Sequence, residues 1–128
     1  MTLVEPFGAG GGPDLIARAL AARVSQVWRV PVSVDNRAGA GATAAPAFVA
    51  AAPPDGCTLL VNTSAHAYSA ALVEGLTYDP LDDFAAIAPL SSQPYVLVAS
   101  LSSGMRTLAD LVSAGRTRAG NSGSPPPV

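Results

Sequence analysis

Two short stretches carry residue types that could hold a small anion. The first, Gly8-Ala9-Gly10-Gly11-Gly12-Pro13-Asp14, follows the β-like run Leu3 to Phe7 and leads into a helical pattern. Glycines let a backbone turn tightly and approach a bound group closely, and the first amides of a helix have no partner inside it, so they point at whatever lies above the loop. Asp14, in the first helical turn, suits two roles. It can stabilise the helix dipole, a contribution of about 0.3–1 kcal/mol, or it can accept a hydrogen bond from a donor on a ligand. The second stretch, Asn62-Thr63-Ser64 with His66 close behind, offers amide and hydroxyl groups after another β-like run, and Ser64 is placed to cap the helix that follows.

Other chemistries fit these residues poorly. Gly8-x-Gly10 is followed by Pro13 where a dinucleotide loop needs its third glycine, and a phosphate-cradling Walker loop needs a lysine, which this chain lacks. His66 is the sole histidine, and no Gly-x-Ser-x-Gly elbow accompanies it, so a Ser-His-Asp arrangement has little support. Asp79, Asp82 and Asp83 lack the spacing of a calcium loop and read as turn formers. No cofactor or metal is expected.

The 128 residues are 49% hydrophobic with a mean hydropathy of +0.36, which argues for one packed core rather than disorder. A net charge of −2, from seven arginines and no lysine, provides no basic stripe for nucleic acid or an acidic membrane. Cys57 is alone, so neither an intrachain disulfide nor a cysteine zinc cluster can form. No apolar run reaches the roughly 20 residues that span a bilayer.

The elements that must position the two stretches alternate. Pro13 suits a first helical turn, and Ile16, Leu20, Val24, Val27 and Trp28 predict one buried helical face ending near Arg29. Val30 to Val34 reads as a second strand, Asp35 to Gly41 as a glycine-containing turn, and Thr43 to Ala52 as a helix stopped by Pro53-Pro-Asp-Gly56. Thr58 to Val61 is a third strand, followed by a short helix to about Val73. This β-α-β-α-β-α order predicts an α/β fold, a parallel sheet flanked by helices on both faces. Beyond the turn Tyr78 to Asp83, Phe84 to Leu90 and Tyr95 to Leu101 are further strand candidates, and Thr107 to Ala114 reads as a short helix. Gly115 to Val128, rich in Arg, Gly, Ser and Pro, is expected to add nothing to a core.

Four segments together carry a resemblance: Val4-Glu-Pro-Phe-Gly-Ala-Gly-Gly-Gly-Pro-Asp-Leu-Ile-Ala-Arg-Ala-Leu20, Val32-Ser-Val-Asp-Asn-Arg-Ala-Gly-Ala-Gly41, Pro54-Asp-Gly-Cys-Thr-Leu-Leu60 and Tyr78-Asp-Pro-Leu-Asp-Asp-Phe84. In this order they resemble the solute receptors of tripartite tricarboxylate transporters, the Bug-type periplasmic binding proteins, over about residues 2 to 112. The resemblance implies one lobe of a type II periplasmic-binding-protein fold, with the strand from Leu3 between the other two. It implies a periplasmic location, no enzymatic activity, a small organic carboxylate as ligand and membrane permease subunits as partners. The ligand carboxylate would be held by Gly8, Ala9, Gly10, Gly11 and Gly12 with Asp14, and by Asn62, Thr63 and Ser64 with His66 nearby. Ser122, within Gly120 to Pro126, is similar to a family loop that reaches the ligand from the second lobe.

On this resemblance residues 1–94 form lobe one, 95–114 a hinge strand and the start of lobe two, and 115–128 a tail. The chain is then a fragment with an incomplete cleft and no signal peptide. Glu5 stands where the family carries an aliphatic residue, and a buried unpaired carboxylate is costly, so Glu5 is expected at an exposed strand end or paired with Arg37 or another arginine. Apolar surface around Tyr95 to Leu101, beside free strand edges, favours self-association. Two further readings stay open: a folded remnant that binds nothing, and a small α/β hydrolase using Ser64 and His66.

Overall fold

Leu3 and Val4 point to opposite sides of an extended chain, and both are fully buried, so the first strand must be covered on both faces. The computed structural model describes residues 1–118, which fall in two compact units, Met1–Leu90 and a second that begins at Ser91. In the first unit β1 (Thr2–Glu5) lies between β2 (Ser33–Asn36) and β3 (Thr58–Leu60), all parallel, in the order β2-β1-β3. Leu3 sits beside Val34 and Leu59, and Glu5 beside Asn36. The central place of β1 agrees with the sequence expectation.

Helix α1 (Gly12–Trp28) carries proline in its first turn, where the missing amide is not needed, and stops at Arg29, whose φ of 57° is left-handed. It packs on β1 and β2. The buried face differs from the expected one: Asp14, Ala17 and Ala21 are buried, whereas Val27 and Trp28 are 56% and 61% exposed. The reason is steric. Alanine lets the helix backbone approach the sheet closely, and Leu20 flanks the seam of Leu3, Ala17, Ala21 and Val61 together with Val32, Val34 and Leu59. Full burial of a side chain such as Leu3 contributes about 1.5–3 kcal/mol.

Strand β2 starts three residues later than the expected Val30. Arg29 leaves the helix in a left-handed conformation and Pro31 has no amide to donate, so pairing begins at Ser33, whose amide reaches the Met1 carbonyl at 3.1 Å. The shift brings Asp35 and Asn36 into the strand rather than the turn. Four successive residues of positive φ, Gly39, Ala40, Gly41 and Ala42, then turn the chain toward α2 (Ala44–Ala50), which packs on β1 and β3 with Ala45 and Pro46 buried. Right-handed crossovers on either side of β1 place α1 and α2 on opposite faces. Helix α3 (Ala65–Leu72) follows β3. The Tyr78–Phe84 turn is built as expected from its aspartates: Asp79 Oδ1 accepts the amides of Leu81 and Asp82 at 2.8 and 3.0 Å.

Phe84 to Leu90 and Tyr95 to Leu101 are not strands in the structure. β propensity reports how well a residue fits a pleated, half-buried surface, and no neighbouring strand among the described residues offers these segments a ladder. Tyr95, Val98 and Leu101 are 94%, 81% and 101% exposed. Helix α4 (Leu108–Arg118) runs beyond the expected Ala114 into the segment assigned to the tail. Its start explains its persistence: Asp110 Oδ2 accepts the Arg106 and Thr107 amides at 2.9 and 2.8 Å, and Thr107 Oγ1 accepts the Asp110 amide at 3.2 Å, a reciprocal cap. No helix among the described residues is long and apolar enough to cross a membrane.

Candidate functional site

The strand register puts two polar side chains at the carboxyl edge of the sheet, Glu5 on β1 and Asn36 beside it on β2, on the face that α1 covers. Helical spacing brings Asp14 and Arg18 to the same place, because positions 14, 17, 18 and 21 share one face of α1. The layer between α1 and the sheet is thus apolar at Leu3, Ala17 and Ala21 and polar at its upper end. Glu5 and Asp14 are 0% and 2% exposed.

Each buried carboxylate finds donors. Glu5 Oε2 accepts the Phe7 amide at 2.9 Å, and Oε1 accepts Asn36 Nδ2. The same Nδ2 donates to Asp14 Oδ1 at 2.9 Å, while Asn36 Oδ1 accepts Arg18 Nη2 at 3.0 Å. Asp14 Oδ2 accepts both Arg18 Nε at 2.9 Å and the Gly10 amide at 2.8 Å. The Arg18 hydrogen bond, the Gly10 amide and Asn36, in that order, hold the Asp14 carboxyl far below the usual carboxylate range, and Asp14 in turn raises the Arg18 guanidinium.

The two expectations for Glu5 need correction. It is neither exposed nor bonded to an arginine; its side-chain donors are an amide and Asn36. Arg37 turns elsewhere, with Nε 2.8 Å from Asp35 Oδ2 and its guanidinium 3.5 Å from the centre of the Phe48 ring.

Above this network lies the glycine loop. Gly8, Ala9, Gly10 and Gly12 are exposed and Gly11 is half-buried. The amides of Gly8, Ala9, Gly11 and Gly12 meet no acceptor among the described residues, whereas that of Gly10 is taken by Asp14. Gly10 has a φ of +88°, so glycine is required there by conformation. A Cβ at Gly8 or Gly12 would meet no atom within 4 Å, and one at Gly11 would make ordinary contact with the Gly8 carbonyl at 3.5 Å. Asp14 therefore uses three of its acceptor sites on the protein and shapes the loop from below.

β3 adjoins β1 and runs the same way, so the Asn62–Ser64 loop leaves the same edge of the sheet, one strand spacing of about 4.8 Å away. Ligands of open α/β sheets bind at such carboxyl edges. Asn62 Oδ1 accepts the Thr63 amide at 2.8 Å, and its Nδ2 is buried without an acceptor. Thr63 Oγ1 accepts the Ala65 amide at 3.3 Å, and the exposed Ser64 occupies the first cap position of α3 without a capping bond from its side chain. His66 faces the Tyr78–Phe84 turn. Its Nε2 donates to the Pro80 carbonyl at 2.9 Å, its ring stacks parallel to Tyr78 and meets Phe84 edge-on at 4.8 Å, and Nδ1 is buried without a partner. A base needs a nitrogen within reach of the proton it takes, and both nitrogens of His66 are occupied or sealed. No group of three metal-ligating side chains occurs among the described residues. Ser122 lies outside the described residues.

A family model described as the tripartite tricarboxylate transporter family receptor matches residues 16–124. The chain belongs to this receptor family. It is 36% identical over 113 residues to an Agrobacterium vitis protein from the TAR-I ttuE-ttuC' intergenic region, a match covering 88% of this chain and 33% of that protein. Among solved structures, MatC from Rhodopseudomonas palustris with bound malate aligns with a TM-score of 0.83 at 34% identity, covering 92% of this chain and 40% of that one. R. palustris Rpa4515 with adipate aligns at 0.70 and 31% identity over the same shares. The periplasmic binding protein BugD aligns at 0.59 and 35% identity, covering 62% of this chain and 27% of its own. The chain spans about a third of the length of the curated relatives it matches. Its parallel sheet with flanking helices is that of the periplasmic binding proteins.

Sequence reasoning finds both loops and misses the residues beneath them. Asp35-Asn36 before a glycine reads as turn chemistry, and the signal that could have revealed Asn36 is the pairing of strand ends, which places it beside the buried Glu5.

The network makes stability depend on pH. Because folding lowers the Asp14 pKa from its unfolded value of about 3.9, its contribution is complete above that pH and is lost as pH falls toward the folded value. The urea midpoint of the native chain is expected to fall between about pH 4 and pH 2, and that of Asp14→Asn to fall less across the same window. Parallel slopes would show that the network does not hold this carboxyl.

Proposed function

We propose that this chain supplies the carboxylate-binding loops of a periplasmic solute receptor, which captures small organic acids for the membrane permease subunits of a tripartite transporter. The observation that carries this reading is the set of amides at Gly8, Ala9, Gly11 and Gly12 that meet no acceptor among the described residues, beside Asn62–Ser64 at the carboxyl edge of β1 and β3. Amides at a helix start attract anions. The malate and adipate of the two R. palustris structures belong to the same chemical class. A binding rather than catalytic role is supported by the engagement of His66, whose Nε2 donates to the Pro80 carbonyl and whose Nδ1 is buried. In this reading residues 1–94 form the first lobe and 95–114 the crossing to a second.

Two loops alone enclose little of a ligand, so the chain is expected to bind with a Kd on the order of millimolar, against micromolar for an enclosed cleft. Titration with succinate, citrate or glutamate should shift backbone amides at Ala9 to Asp14 and Thr63 to His66. Gly10→Val, which forces a branched side chain into a left-handed conformation, should remove those shifts. Shifts elsewhere, or shifts indifferent to that substitution, would reduce the glycine loop to a turn.

A second surface supports association between copies. No charged residue occurs between Asp83 and Arg106, and Tyr95 to Leu101 is apolar and exposed, so copies of a chain of net charge −2 can meet here without repulsion. Light scattering should show dimers or larger species as concentration rises. A monomer throughout, with no binding of an apolar dye, would contradict this.

A further inference from the structure

We propose that Asn36 is a positioning residue for the glycine loop, fixing Asp14 in the orientation that holds Gly10 and so leaves the other loop amides turned outward. The inference rests on the carboxylate-binding reading only for its consequence in affinity; its geometric content stands on the network alone.

Among the described residues, Asn36 is the one side chain that joins all three elements beneath the loop. It comes from the last position of β2, donates to Glu5 at the last position of β1, and donates to Asp14 in the first turn of α1. Its oxygen holds Arg18, the cation that also binds Asp14. Without Asn36, Asp14 would keep only its helical neighbour Arg18 and the Gly10 amide. An i,i+4 pair whose arginine side chain is 52% exposed is weak on its own and leaves the carboxylate free to turn toward solvent. Gly10 would then lose its acceptor, and a loop containing four glycines has little else to hold it. Asparagine suits this place because it gives two hydrogens to two carboxylates; an aspartate would add a third negative charge and donate nothing.

The test compares Asn36→Leu, which keeps the branched shape and removes every side-chain hydrogen bond, with Leu20→Ala, which loosens the apolar end of the same layer. Gly10 is followed by its amide proton resonance and by hydrogen exchange, with and without succinate. In Asn36→Leu the Gly10 resonance is expected to move upfield and its exchange to accelerate at least about tenfold, while Leu20→Ala leaves both unchanged at matched stability. Succinate affinity should fall in Asn36→Leu by about tenfold, equivalent to about 1.4 kcal/mol, and not in Leu20→Ala. If Asn36→Leu does not fold, Asn36→Ser, which cannot span both carboxylates, is read in the same way. If the native chain binds no succinate yet Gly10 responds as described, the positioning role stands and the binding reading fails. If Gly10 is the same in the native chain and the Asn36 variant, the proposal is overturned.

Discussion

Glu5 and Asp14 are carboxylates buried within one hydrogen-bonded cluster, and a buried charge is tolerated only when donors surround it. That constraint organises the upper end of the sheet. One asparagine and one arginine, with the amides of Phe7 and Gly10, supply the donors, and meeting the requirement ties the end of β1, the end of β2 and the first turn of α1 into one unit. The loop between β1 and α1 takes its shape as a consequence. Asp14 draws in the Gly10 amide, Gly10 accepts the left-handed backbone this needs, and the amides on either side of it meet no acceptor among the described residues.

In the proposed reading, the backbone would recognise the carboxylate. Amides at the start of a helix carry partial positive charge at fixed positions, and they need no lysine or arginine at the ligand itself. This accords with the low charge content of the chain and with Arg18, beneath the loop, being engaged by Asp14 and Asn36. It also gives the two buried carboxylates a purpose that does not involve touching an anion: they hold the loop from below.

What the sequence revealed and what it concealed follow from the range of the interactions. The order of the first three strands and the helices that follow them, the glycine loop and the central place of β1 rest on local pattern and a specific resemblance, and they match the structure. The buried face of α1 differs from the one periodicity predicts because large apolar residues dominate such a count, whereas contact with the sheet is made through Ala17 and Ala21. Asn36 reads locally as a turn residue because its strand partner, Glu5, is 31 positions away. Tyr95 to Leu101 has strand composition but no partner among the described residues, so propensity alone does not make it a strand. His66 looked like a ligand-facing polar group, and its bond to Pro80 arises from a turn 14 residues further on.

The central claim is that the network beneath the glycine loop builds a carboxylate cradle from the backbone. A crystal structure of the chain with saturating succinate tests it most directly. The account predicts one carboxylate within about 3 Å of at least two amides among Ala9, Gly11 and Gly12, with the Gly10 amide still donating to Asp14. A succinate bound away from this loop, or a Gly10 amide turned from Asp14 to the ligand, would contradict it.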